Sequence, residues 1–346
     1  MSRYQEICGC IHIHFPLSLG TRYIRYIGDE GSAAGVDFLI ITSHTPRKNP
    51  ERTSHLFSHG GYFDRTLVIM AEEVDDDRKR ESHALILGLK DWAGRKTGFR
   101  EVFRQVQAQG GLAFMAHPTG RHRLFVLPTN HRWSEWAVEE LTGLEVWSLL
   151  FDWAPRTHWA NMPARYARFL ENLEGPGAAN LSLWDKSAAG KKTVGIAGLD
   201  IHRVPVPCLD IARKFRYRRV FGSLRNHLLI GKPLTGDVRD DEALILDCLR
   251  RGNLFFANDR LGDSRGFYFG SADRRFLMGD DISGGIEAEV SVPVKSSVRL
   301  LRNGRLVWEE EIVSRRIPVK EPGVYRVEVH RDGHPWIYAN PLYAKM

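Results

Sequence analysis

Apolar runs broken by short polar stretches set the rhythm of the first two-thirds of this chain. Cys10-Ile11-His12-Ile13-His14-Phe15 alternates. Strand side chains repeat every second residue, so His12 and His14 are expected on one face of a strand. Continuous apolar runs at 36–42, 67–71, 84–89, 112–116, 144–147 and 194–198 read as buried strands. Helical spacing predicts helices over about 21–34 (Tyr23, Ile24, Ile27, Ala33), over 99–109 before Gly110-Gly111, and around 160–173. Strands alternating with helices predict a mostly parallel α/β sheet, and a barrel of that kind collects its strand ends into one ring.

Beyond about residue 205 the texture changes. A helix is predicted over 241–251, stopping at Gly252. From about 265 the chain shows short alternating runs at 286–292, 298–301 and 325–329, and Asn303-Gly304 is a hairpin signal between two of them. This tail reads as a small all-β, sandwich-like module. The expected division is a main domain over 1–262 and a C-terminal β-domain over 263–346. No internal repeat is visible.

Composition bounds the answer without deciding it. The 346 residues are 43% hydrophobic and 26% charged, as in ordinary folded proteins. A formal charge of +7 suits a small anionic substrate but is too diffuse to point to nucleic acid. Cys8, Cys10, Cys208 and Cys248 are too few for a disulfide scaffold, and Cys8 and Cys10 read as buried thiols. The N-terminus lacks the apolar core of a signal peptide, and no run approaches the roughly 18 apolar residues of a membrane span, so a cytoplasmic protein is expected.

Candidate chemistry sits where the strands end. In chain order these positions carry His12, His14, His44, Glu73, His83, His117, Asp200 and His202. Imidazoles with carboxylates suit Zn, Mn or Fe rather than Mg or Ca, and the set is large enough for two ions sharing a carboxylate. Two such ions would lower the pKa of a bridging water and clamp an ester's oxygens.

In this order the residues resemble the PHP (polymerase and histidinol phosphatase) superfamily of metal-dependent phosphoesterases. The resemblance rests on the His12–His14 pair, Thr42-Ser43-His44, Glu73 with His83, Ala116-His117-Pro118, and Gly198-Leu199-Asp200-Ile201-His202, and covers about residues 8–204. Gly222-Ser223-Leu224-Arg225, Met278-Gly279-Asp280 and the closing Tyr338-Ala339-Asn340-Pro341-Leu342-Tyr343 resemble its carbaryl-hydrolase-like (CehA/McbA) branch, whose members carry a C-terminal β-domain. The resemblance implies a distorted (β/α)7 TIM-like barrel. It implies one metal held by His12, His14, Glu73 and Asp200, a second by Glu73, His83 and His117, and a third near His44 and His202. The implied chemistry is attack by a metal-bridging hydroxide on a phosphate ester.

Departures from the family pattern argue against the third metal. Leu19 stands where a ligand is usual, Cys10 where an aspartate often precedes the first histidine, and Ser43 where Asp is usual. Two divalent ions are therefore expected. His44 and His202 are then left to bind the substrate's anionic group or to protonate the leaving oxygen, beside Glu73. Arg121 and Arg203, with Lys191, are the candidate phosphate-binding cations.

Other features read as structural. His55, His59, His122, His131 and His158 lie in polar loops and read as solvated. Asp75-Asp76-Asp77 reads as an acidic turn balanced by Arg78, Lys79 and Arg80. Glu145 is open to two roles, pocket lining or a structural hydrogen bond. The basic and aromatic run 213–219 reads as an amphipathic edge strand more readily than as a nucleic-acid face. The tryptophans between 130 and 160 fit core packing or self-association into a homo-oligomer as well as a substrate cage. Three functions follow: a phosphoesterase, a carbamate, ester or amide hydrolase with the same metal centre, and a catalytically decayed metal-binding barrel that binds a partner.

Overall fold

The structure is a computed structural model and describes residues 4–44, 55–75, 82–89, 99–122, 129–133, 140–171, 173–202 and 217–345. In chain order its strands are β1 (Gln5–Ile13), β2 (Phe38–Ile41), β3 (Gly61–Phe63), β4 (Thr66–Met70), β5 (Glu72–Asp75), β6 (His83–Leu87) and β7 (Leu112–Ala116). Next come β8 (Thr119–His122), β9 (Thr129–Arg132), β10 (Gly143–Ser148), β11 (Val194–Gly198), β12 (Leu224–Ile230) and β13 (Leu254–Asn258). The tail adds β14 (Tyr268–Ser271), β15 (Asp281–Ser283), β16 (Ile286–Arg302), β17 (Arg305–Val319), β18 (Gly323–Arg331), β19 (His334–Ala339) and β20 (Leu342–Lys345).

The apolar runs do form strands that are buried along their length, as β2, β7 and β11 show. They do not build the expected (β/α)7 barrel, in which parallel strands alternate with helices. Strand outweighs helix, and the ladders fall into a 13-stranded sheet, a separate 5-stranded sheet ordered β11-β10-β7-β6-β5, and the β8–β9 hairpin. Strand direction is mixed. β1–β2, β2–β4, β7–β10 and β10–β11 are parallel, whereas β5–β6, β6–β7 and β1–β12 are antiparallel. An apolar run reads the same in either direction, which is why periodicity missed this. The link from Asp75 to His83 is also shorter than the dozen or so residues a parallel crossover needs, so β6 turns back along β5.

The tail is likewise not a separate sandwich. β13 pairs with β19 and β12 with β1, so the C-terminal strands extend the first sheet across the predicted boundary. They bring their own apolar core, which includes Phe269, Val290, Val327, Trp336 and Ile337. Asn303-Gly304 does make the hairpin between β16 and β17. Both residues have positive φ (53° and 75°), as a type I′ turn requires.

Where β11 faces the larger sheet, side chains replace a strand ladder. Asn226 Oδ1 accepts from the Ala197 amide and its Nδ2 donates to the Ala197 carbonyl, at 2.9 and 2.7 Å. Asn340 does the same for Gly195, at 2.7 and 2.8 Å. Both asparagines are fully buried, so these bonds satisfy backbone groups that water cannot reach.

Two helices end as their glycines require. Gly20–Ala34 stops at Gly35 and Val238–Arg251 stops at Gly252, both left-handed. The second starts ahead of the predicted 241 because Asp237 caps it, accepting from the amides of Arg239 and Asp240. Among the described residues of the region predicted as 160–173, only Met162–Ala167 is helical, and the helix Ala178–Gly190 was not foreseen. No helix among the described residues is long and apolar enough to cross a membrane.

Candidate metal centre

One edge of the two sheets carries every candidate ligand. His12 and His14 lie at the end of β1, His44 just past β2, His117 just past β7, and Asp200 and His202 just past β11. Glu73 lies in β5. His83 opens β6, and because β6 runs antiparallel its first residue reaches the same edge, opposite Asp75 on one side and Ala116 on the other. Backbone bonds draw the ends together: Asp200 N–H donates to His12 O at 2.7 Å, and Glu73 N–H to Thr42 O at 2.9 Å.

Glu73 is the hub. Its Oε2 lies 3.3 Å from His12 Nε2, 3.1 Å from His14 Nε2 and 3.1 Å from His44 Nε2. Its Oε1 lies 2.9 Å from His83 Nδ1 and 3.2 Å from His117 Nε2. Each carboxylate oxygen thus serves its own group of imidazoles. Asp200 adds a second acid, with Oδ1 3.5 Å from His12 Nε2 and 3.3 Å from His202 Nδ1.

Three of these residues hold unusual backbone. His12, His117 and Asp200 have φ of 67°, 28° and 49°, a left-handed region that costs side-chain-bearing residues about 1 kcal/mol or more each. His12 sits at a register shift in β1 between Ile11 and Ile13. It is therefore a bulged residue rather than part of a regular alternation, and the bulge re-aims its ring.

Burial and charge shape the ionisation of the metal-free centre. Burial opposes ionising Glu73, but His12, His83 and His44 hold it well below the usual carboxylate range. Burial pushes Asp200 well above that range, with His12 opposing and Glu73 adding to the rise. His14 is pushed well below an ordinary imidazole by burial and by the charge of His202. His44 is drawn up to about 10, burial opposing but Glu73 and Asp75 prevailing.

The residues fit a metal. His12, His14, Glu73 and Asp200 offer ligand atoms within 4.8 Å of one another, as do His44, Glu73 and His83, and also His14, His44 and His202. His12 Nε2 and His14 Nε2 are buried and make no hydrogen bond of proper geometry, a costly state that a cation between them and the acids would relieve.

Two functional neighbours were undervalued in the sequence. Asp75 is no solvated turn residue: its Oδ1 lies 3.3 Å from His44 Nδ1 and 3.7 Å from His83 Nε2. Glu145 is completely buried and touches both His12 and the backbone of His117. A clue to Asp75 was its even spacing from Glu73 on one strand, which puts both on the same face.

The family departures have structural explanations. Ser43 bonds the Phe15 backbone in both directions, at 3.0 Å each. Cys10 is a buried thiol 3.6 Å from Phe221 O. Leu19 ends a short 3-10 turn and is exposed. Among the candidate phosphate-binding cations, Arg121 stands in β8, Arg203 lies outside the described residues, and Lys191 is turned away, donating to Leu141 O at 3.0 Å. Trp136, Cys208, Asp76, Asp77 and 213–216 also lie outside the described residues.

Comparison with known proteins adds no functional assignment. No protein-family model matches the chain, and no curated protein matches it. Among solved structures, a lytic polysaccharide monooxygenase from Jonesia denitrificans aligns with a TM-score of 0.16 and 6% identity, over 22% of this chain and 63% of that one. An engineered protein aligns with a TM-score of 0.20 and 12% identity, over 95% of this chain and 81% of that one. The chain thus spans less than two thirds of the monooxygenase it aligns with, and both scores are too low to bear on fold or chemistry.

Proposed function

We propose that this protein is a metal-dependent hydrolase of the PHP type, and that it acts on a small phosphate ester or diester. The observation that carries the reading is the split of Glu73. One oxygen faces His12, His14 and His44 and the other faces His83 and His117, which is the arrangement a carboxylate needs to bridge two cations. His12, His14, Glu73 and Asp200 would hold one divalent ion, and Glu73, His83 and His117 the second, with Zn, Mn or Fe favoured by the donor set. Such an ion pair supplies Lewis-acid stabilisation of developing charge and a nucleophile drawn from water.

The chain's own contribution is placement. The walls of the centre are buried, while His44 and His202 are 37% and 42% exposed and stand at its open side. His44, drawn up to about 10 against its burial by Glu73 and Asp75, would hand a proton to the leaving oxygen, and His202, which burial pushes down to about 4, would meet the substrate's anionic group as a neutral imidazole. His44 Nδ1 faces the Glu73 carbonyl oxygen at 3.0 Å and Asp75 Oδ1 at 3.3 Å, which leaves Nε2 directed toward Glu73 Oε2.

A second reading, hydrolysis of a carbamate or carboxylic ester, is favoured by one feature. A cavity of about 300 Å³ adjoins His117, walled mostly by apolar side chains (Val146, Trp147, Phe151, Pro155 and Pro176), with Asp152, Arg156 and Asn180 among its polar lining. Phe151 stacks on the His117 ring at 4.4 Å. Such walls suit an apolar substituent rather than a phosphate.

Elemental analysis of the purified protein, followed by a panel of p-nitrophenyl phosphate, bis(p-nitrophenyl) phosphate, p-nitrophenyl acetate and an aryl carbamate, tests both readings. Two equivalents of metal with fastest turnover of a phosphate ester is the expected result. Preference for the acetate or carbamate would select the second reading. Stoichiometric metal with no turnover of any ester would overturn both.

A further inference from the structure

Among the described residues, the ligand groupings of the centre include neither Glu145 nor His117, and of these two Glu145 is the one that does not reach Glu73. It is nevertheless fully buried, and it contacts two residues of the centre by different routes. His12 Nδ1 lies 3.0 Å from Glu145 Oε1, within hydrogen-bond distance. The His117 backbone N–H donates to Glu145 Oε2 at 2.6 Å. The backbone N–H can only donate, so Oε2 accepts there, and Oε1 is left to accept from His12 Nδ1.

The surrounding fold makes room for this side chain alone. A Cβ on Gly198, at the end of β11, would overlap Glu145 Oε1 and come within 2.9 Å of His12 Cβ. β10 shifts register against β11 between Glu145 and Trp147, next to the point where the carboxylate enters. The two residues it grips, His12 and His117, are two of those held at positive φ.

We propose that Glu145 is a positioning residue. It fixes His12 as the Nδ1–H tautomer, so that Nε2 presents its lone pair to the centre, and it pins the bent backbone at His117 so that its ring meets Glu73 Oε1. A histidine donating its second nitrogen to a carboxylate is oriented and made a better metal donor. The inference rests on the metal-binding part of the proposed function and not on the identity of the ester hydrolysed.

The test uses the full chain. Glu145→Gln keeps shape but offers one acceptor and one donor to two N–H groups, so one of the two bonds must fail. Zn and Mn affinities, measured by competition with a chelator, are expected to fall about 10- to 100-fold. In Zn-saturated protein, ¹⁵N-labelled histidine spectra should show His12 bonded through Nε2 with its proton on Nδ1 in wild type and a mixture of ring states in the variant. Gly198→Ala, which displaces the carboxylate without removing it, should lower affinity in the same direction and serves if Glu145→Gln does not fold. Unchanged affinity together with an unchanged His12 tautomer in either folded variant would overturn the proposal. Wild type that binds metal but turns over no ester would leave it standing while removing the hydrolase reading.

Discussion

Asn226 stands beside Ala197 as a strand would, taking its amide N–H and giving to its carbonyl, and so joins two sheets that share no continuous ladder there. Ala197 lies three residues before Asp200, so this clamp also sets how far the β11 end reaches into the centre. Asn226→Ala leaves a buried N–H and a buried C=O without partners. Each such loss costs about 1–3 kcal/mol, so a drop of about 2–6 kcal/mol in unfolding free energy is expected in urea titration. A change below about 0.5 kcal/mol would mean that the Asn226 clamp does not hold the sheets together.

His227 predicts how stability responds to pH. It is buried between Glu6 Oε1 at 2.8 Å and Asp259 Oδ2 at 3.1 Å. Burial opposes its protonation, but Asp259 and Glu6 raise its pKa from 6.5 to about 9. A raised folded-state pKa means stability that is full below the unfolded value of 6.5 and is lost as pH climbs through about 9. The loss is about 3 kcal/mol at most. The urea midpoint of wild type should fall over that window. The difference between wild type and His227→Gln should shrink in parallel, and a constant difference would refute the assignment.

Metal removal should destabilise the chain. An ion that binds only the folded form adds about 2.7 kcal/mol at a hundredfold excess over its Kd. Dialysis against a chelator should therefore lower Tm, and Zn or Mn should restore it while Ca does not. Equal recovery with Ca would contradict the donor chemistry of the centre.

His44→Ala separates holding an ion from acting on substrate. Because His12, His14, Glu73, Asp200, His83 and His117 remain, metal content should stay at the wild-type level. Turnover is expected to fall about 10²- to 10⁴-fold, the range of a lost acid or base. If metal content and turnover both survive, His44 has no part in proton transfer or substrate binding.

The candidate ligands could be read from the chain because each follows or opens an apolar run whose end is punctuated by polar residues. Strand direction could not be read: the runs at 67–71 and 84–89 look alike, yet only the short link after Asp75 makes β6 run backwards. The helix Ala178–Gly190 escaped because small and polar residues such as Ala178, Ala179, Ser182 and Ser187 give it no strong apolar stripe. Glu145 stayed ambiguous because a lone carboxylate within an apolar strand looks the same whether it binds an ion, lines a pocket or orients a neighbour. Only its distances to His12 and His117 separate these roles.

At positions 12, 117 and 200 the main chain bends in a way that glycine alone accepts without strain. A glycine there would relax the polypeptide and would bring no donor atom. Substitution by glycine at these three points therefore relaxes the main chain while removing a donor atom that the proposed centre needs.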